Sequence, residues 1–378
     1  AMARFHTNGS LDTSFGSGGF VNYDVGPDSD AINGIAIGAG GRITVVGRSS
    51  FTDSDVIVMK FLSDGTLNPS FGTAGVARFD LDRAATTWSS TLVQPDGRIV
   101  VAGISLTRQI IWRLETDGSL DPSFGTGGYY LPPGTGVSFT QVYLQADGKL
   151  LIHDASANKL TRLTADGVLD TTFGTGGART YSGALFTSEI DLAFDSGGSI
   201  YVAGSRRNSV TGFDEFALAK FTAAGSLDAS FDGDGQVLLD MADGNDRATK
   251  VTVDADGKIL VGGTARVGSM DDMAVVRLNA DGTLDTTFSG DGRMIMVTST
   301  FDTLRDMFVQ SDGRIVIAGS FGSGFSIVRL TSDGELDASF DGDGIAATGI
   351  SAVANAEIFR QSDGKLLIAG GISLTTAT

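Results

Sequence analysis

A six-residue phrase, Leu-(Asp/Asn)-x-(Ser/Thr)-Phe-(Gly/Asp/Ser), occurs seven times in the chain. Its phenylalanines are Phe15, Phe71, Phe124, Phe173, Phe231, Phe288 and Phe340, spaced by 56, 53, 49, 58, 57 and 52 residues. A period near 50 points to a solenoid, a propeller or an array before any other fold. Length alone would suggest two or three domains for 378 residues. Seven linked units of one kind read better as a single closed body, so one domain is expected over 1–378.

Each unit spells four short strands. Between residues 30 and 80 these are AINGIAIG, RITVVG, DVIVMKFL and GVARFD, separated by Gly40-Gly41, Ser63-Asp64-Gly65 and the phrase itself. Such lengths and Gly/Asp punctuation signal strands and hairpins, and no stretch holds a helical period over a dozen residues. The first hairpin turn recurs as Asp96-Gly97, Asp147-Gly148, Gly197-Gly198, Asp256-Gly257, Asp312-Gly313 and Asp363-Gly364, pairs suited to tight turns with positive φ. The strand after it recurs as IVVAG, LLIHD, IYVAG, ILVGG, IVIAG and LLIAG. Near-continuous apolar runs of this kind have both faces covered, and the glycines ending most of them permit close backbone approach. The third strand carries a basic residue before an apolar one, as in Arg113-Leu114, the alternation of a strand with one polar side.

The two ends complement each other. Residues 1–24 hold a third and a fourth strand, and residues 353–371 hold a first and a second. In an open array both half-units would leave bare sheet edges. In a ring they make one blade, two outer strands from the N-terminus and two inner ones from the C-terminus. The expected fold is therefore an all-β, seven-bladed β-propeller of four-stranded antiparallel blades, an architecture that protects its edges by radial repetition.

The LDxSFGxGG phrase, the DGK/R-I-x-V-x-G strand and the R-L-x-x-D-G turn together resemble the bacterial delta-60 repeat family over essentially the whole chain. Asn68, Gly197 and the short strand in ANKLTRLT depart from the pattern locally. The resemblance implies a propeller module, often part of large secreted or surface proteins, and carries no catalytic residue with it.

Composition narrows the partners. A net charge of −18 argues against nucleic acid and anionic membrane, both of which need clustered Lys and Arg. It suits a soluble extracellular or cation-rich setting, and with what the resemblance implies the expected location is extracellular or at a bacterial cell surface. With no cysteine there are no disulfides and no thiolate sites. No apolar run is long enough to span a membrane, and AMARFHTNGS at the start is not a signal peptide. A monomer is expected.

Aligned on the hairpin turn, one column of the first strands is polar and changes from blade to blade: Gly34, Ser90, Gln141, Asp191, Lys250, Asp306 and Glu357. First strands are expected innermost, which would put this column in the channel. Asp30, Asp246, Arg247, Asp302 and Arg305 at the strand starts add charge near one mouth. Asp30, Asp191, Asp246, Arg247, Lys250, Asp302, Arg305, Asp306 and Glu357 form the predicted ligand site, although a solvated lining without a ligand accounts for the same column. Asp232, Asp234 and Asp240 resemble part of a calcium loop. The further acids an EF-hand spacing requires are missing, and a plain turn is the simpler reading. Two unrelated histidines, His6 and His153, supply neither a catalytic triad nor a three-histidine metal site. The expected function is a non-catalytic binding module for a glycan, protein or matrix. The alternatives are a lyase or hydrolase using channel carboxylates, with or without a divalent cation, and a structural spacer.

Overall fold

The structure is a computed structural model that describes residues 1–23, 30–49, 55–79, 90–105, 108–133, 140–155, 157–182, 185–186, 188–298, 300–321 and 324–374. It is a seven-bladed β-propeller of four-stranded antiparallel sheets. Blade five shows the plan: Arg247–Val253, Ile259–Val267, Met270–Leu278 and Arg293–Met296 pair in that order. The chain divides into two compact units. One holds Ala1–His6, Leu11–Thr180 and Phe359–Gly371; the other holds Thr7–Ser10, Tyr181–Ile358 and Ile372–Thr378. Among the described residues no helix is long and apolar enough to cross a membrane.

In the first unit Met2–Phe5 pairs antiparallel with Leu366–Leu374 (Met2↔Ala369, Phe5↔Leu366), and Phe20–Val21 pairs outside it. The closing blade is thus built from both ends of the chain, as the half-units predict. One detail differs. The last strand of blade six and the first of the closing blade form a single strand, Ile345–Arg360, because residues 350–360 contain no Gly or Pro to break it.

The second strands are buried on both faces: Ile99, Val100, Val101 and Ala102 are all sealed from water. The repeated phrase supplies the packing between blades. All seven of its phenylalanines are 0% exposed. Each described case seats its ring on the turn glycine of the following blade. A Cβ on Gly65 would lie 2.8 Å from Phe15, on Gly167 2.6 Å from Phe124, and on Gly334 2.7 Å from Phe288. The D-G turn and the phrase therefore specify each other.

The basic residue of the third strand does not face a polar side as the alternation suggests. It is folded inward over the phrase. Arg113 is 1% exposed, its Nε stands 2.7 Å from Asp121 Oδ2, and its guanidinium lies 5.0 Å from the Phe124 ring centre. The same sandwich recurs as Arg4–Asp12–Phe15, Arg162–Asp170–Phe173, Arg277–Asp285–Phe288 and Arg329–Asp337–Phe340. The phrase aspartate also caps its own turn: Asp121 Oδ1 accepts the Ser123 amide at 2.9 Å and its hydroxyl at 2.6 Å.

Candidate functional site

The first strands of blades one, four, five and six each contain a β-bulge, between Ile32 and Gly34, Ser188 and Asp191, Ala248 and Lys250, and Leu304 and Asp306. A bulge re-aims the side chain that follows it. Opposite it the backbone crowds the partner strand: a Cβ on Gly263 would lie 1.9 Å from the Arg247 carbonyl oxygen, and on Gly319 2.0 Å from that of Thr303. This is the close approach anticipated from the glycines ending the second strands.

The residue after the bulge belongs to the polar column. Ser90 pairs with Ala102, Gln141 with His153, Asp191 with Ala203, Lys250 with Gly262 and Asp306 with Ala318, all at one register position. Part of the column is structural. The amide of the next blade's following residue donates to it: Val142 to Ser90 Oγ at 3.2 Å, Val251 to Asp191 Oδ2 at 3.1 Å and Ile358 to Asp306 Oδ2 at 2.8 Å. Lys250 cannot accept such a bond, and the Met307 amide turns instead to Asp306 Oδ1 at 2.8 Å.

Within the second unit four members of the column come together. Lys250 Nζ is 3.5 Å from Asp191 Oδ2 and 3.1 Å from Asp306 Oδ1. Both carboxylates are nearly buried, whereas the lysine side chain keeps 32% of its exposure. Burial disfavours the charge on Lys250, but Asp191, Asp306 and Glu357 outweigh it and hold the ammonium well above the usual lysine range. Burial raises Asp191 despite the pull of Lys250 and the bond from Val251. Burial, followed by the Asp306 carboxylate, pushes Glu357 up to about 8 against the attraction of Lys250. Near neutral pH the cluster combines a fixed cation with a carboxyl that still carries its proton.

The other predicted residues lie apart from this group. Arg247 and Arg305 are exposed on the first strands of blades five and six. Asp246 and Asp302 are fully buried. Asp246 accepts the amides of Met241 (2.9 Å), Ala242 (3.3 Å) and Arg266 (3.1 Å), and burial pushes it up to about 6. The side chain of Asp30 lies outside the described residues.

Asp232, Asp234 and Asp240 are all exposed. Asp234 Oδ1 caps the Gln236 amide at 2.9 Å. Asp232 occupies the left-handed position (φ 49°) that Gly16, Gly72, Gly125 and Gly174 occupy in other phrases, and its amide donates to the Asp281 carbonyl at 2.8 Å. Among the described residues no three acids or histidines stand close enough to share a metal. His153 is 0% exposed, and burial pushes it down to about 4, so it is a neutral filler opposite Gln141. Sequence reasoning passed over the buried Glu215 and Asp272, which resemble ordinary strand-start acids.

The family model described as a domain of unknown function (DUF5122) beta-propeller matches residues 1–15, 41–71, 94–124, 145–173, 198–231, 255–288 and 310–340, together more than half of the chain. No curated protein matches the chain. Among solved structures it is similar to a catalytically inactive virginiamycin B lyase from Staphylococcus aureus with quinupristin (TM-score 0.57, 12% identity, covering 93% of this chain and 98% of that one). A streptogramin B lyase is similar at TM-score 0.55 and 15% identity (93% and 95% covered). Puromycin hydrolase is similar at TM-score 0.50 and 12% identity, over 88% of this chain and 49% of its own. At these identities the likeness concerns the fold alone.

Proposed function

The chain belongs to the DUF5122 β-propeller family, and from that premise we propose that it is a binding module, secreted or surface-displayed, whose ligand contacts Asp191, Lys250, Asp306 and Glu357. One observation carries this reading. At the column position where blades one to three place Gly34, Ser90 and Gln141, the last four blades place four ionisable groups, gathered around Lys250. Asp191 and Asp306 also hold backbone amides, but among the described residues Lys250 and Glu357 hold none. Burying them against neighbouring charges has a cost that packing alone does not explain. Carboxylates that accept, beside an ammonium and a protonated carboxyl that donate, suit the vicinal hydroxyls of a glycan. The resemblance to delta-60 repeats and the acidity of the chain support an extracellular setting.

An enzyme is the second reading, favoured by the separation of Glu357, held protonated to about pH 8, from its charged neighbours. Paired carboxyl groups with different proton affinities can serve as acid and base in a lyase or hydrolase. Calorimetry and thermal shift with an oligosaccharide panel test the first reading. Binding by the wild type that is weakened at least about tenfold in Lys250→Met and Glu357→Gln supports it. A flat panel on folded protein overturns it and leaves a structural spacer. Turnover of a sugar, abolished by Glu357→Gln, selects the enzyme.

A further inference from the structure

Two blade junctions carry the same pair of buried acids. Between blades four and five the Asp246 amide donates to the Asp214 carbonyl at 2.6 Å, and Glu215 follows Asp214. Between blades five and six the Asp302 amide donates to the Asp271 carbonyl at 2.7 Å, and Asp272 follows Asp271. Asp246, Asp272 and Asp302 are 0% exposed and Glu215 is 3% exposed.

The first junction satisfies itself. Glu215 Oε1 accepts Asn208 Nδ2 at 2.7 Å and the Thr211 hydroxyl at 3.1 Å, while Asp246 takes its three backbone amides. The second does not. Asp302 accepts the hydroxyls of Thr298 (2.7 Å) and Thr300 (3.0 Å). Asp272 Oδ1 accepts the Thr298 amide at 3.0 Å, but Asp272 Oδ2, equally buried, has no hydrogen-bond partner among the described residues.

The sequence explains the difference. In blade four, residues 208–213 join Ile200–Arg207 to Asp214–Phe221, long enough to fold Asn208 and Thr211 back over Glu215. In blade five only Gly268-Ser269 separates Ile259–Val267 from Met270–Leu278, and among the described residues no side chain of this turn donates to Asp272. Both carboxylates converge on Thr298, through its amide and its hydroxyl, and one oxygen is left over. A buried carboxylate oxygen without a partner is too costly to leave bare.

We propose that this junction binds a hard divalent cation, calcium first, through Asp272 and Asp302 with hydroxyl and carbonyl oxygens of Thr298 and Thr300. Two carboxylates balance the charge of calcium, which takes six to eight oxygens at about 2.3–2.6 Å. The site is separate from the Lys250 cluster and does not depend on that cluster binding anything.

The test is calorimetric titration of the chelator-treated full chain with calcium, in parallel with thermal shift. The expected result is one site, a rise in melting temperature, loss of both in Asp272→Asn, and retention of both in the Asp232→Asn/Asp234→Asn double variant. No calcium binding by the folded wild type overturns the proposal, and so does binding that survives Asp272→Asn or vanishes with the double variant. Should Asp272→Asn fail to fold, a crystal structure of the wild type grown in calcium decides. An ion bonded to Asp272 Oδ2 supports the proposal, and a water there refutes it.

Discussion

Lys365 Nζ lies 3.1 Å from Asp12 Oδ2, so a charge from the turn just before the last blade's second strand completes an ion cluster that Arg4 begins at the other end of the chain. Together with the Met2–Phe5 to Leu366–Leu374 ladder it welds the closing blade. Removing residues 1–24 bares the Leu366–Leu374 edge and takes Asp12 away from Lys365, which keeps only its pair with Asp363. Aggregation, or loss of cooperative melting in calorimetry, is the expected outcome. Unchanged cooperative melting would refute closure by the two ends.

The phrase aspartates predict acid sensitivity. Burial opposes the charge on Asp121 and Asp337, but hydrogen bonds from Ser123 and Ser339 and the facing arginines outweigh it and hold both at about 2. An unfolded aspartate titrates near 3.9. A depressed folded value means the stabilisation is full above about pH 4 and disappears as pH falls through 2. Urea unfolding at pH 7, 4, 3 and 2.5 should show a steep loss only at the acid end, less steep in Asp121→Asn. A profile flat down to pH 2.5 would contradict the ion pairs.

Most of the fold was legible in the sequence because the phrase is structural in every copy. Phe, Gly and Asp recur because, in each described case, a blade seats its ring on its neighbour's turn glycine. The polar column was legible for the converse reason: it varies where the rest repeats. The inward fold of Arg113 was not, because an arginine flanked by apolar residues gives the same alternation whether it faces water or a buried aspartate. The burial of Asp246 and Asp302 was hidden for a similar reason. A strand-start acid reads as exposed, and only the backbone amides and hydroxyls that converge on it show that it is a buried junction residue.

Blade one contains a natural defect. Lys60 lies 5.4 Å from the Phe71 ring, yet Asn68 stands where the other phrases have aspartate. Burial, with help from Arg42, lowers the proton affinity of Lys60. Asn68→Asp should restore the pair and raise stability by about 0.5–2 kcal/mol in denaturant melts. A variant less stable than the wild type would show that the lysine is not placed like its arginine counterparts.

The left-handed position of the phrase separates two substitutions. Gly125 has φ 55°, and a Cβ there would lie 2.2 Å from the Tyr129 carbonyl oxygen. Gly125→Ala should cost about 2 kcal/mol or more, through clash as well as strain. Asp232 already adopts φ 49°, so Asp232→Gly should stay within about 1 kcal/mol of the wild type. Equal losses in chemical denaturation would disprove the steric account.

Glu357 yields a prediction of opposite sign to that of the phrase aspartates. Its folded value of about 8 lies above the unfolded glutamate value of about 4.3. Below pH 4 the group is protonated in both states and costs nothing. As pH rises towards 8 the unfolded chain gains from ionising while the folded chain does not, so stability is progressively lost. Glu357→Gln removes that loss. It should match the wild type at pH 4 and exceed it by about 1–3 kcal/mol at pH 8.5, the range being discounted for the solvent that reaches neighbouring Lys250. Paired unfolding curves at the two pH values decide it: parallel profiles would mean that Glu357 is ionised and solvated, and the donor role given to it in ligand binding would fall with it.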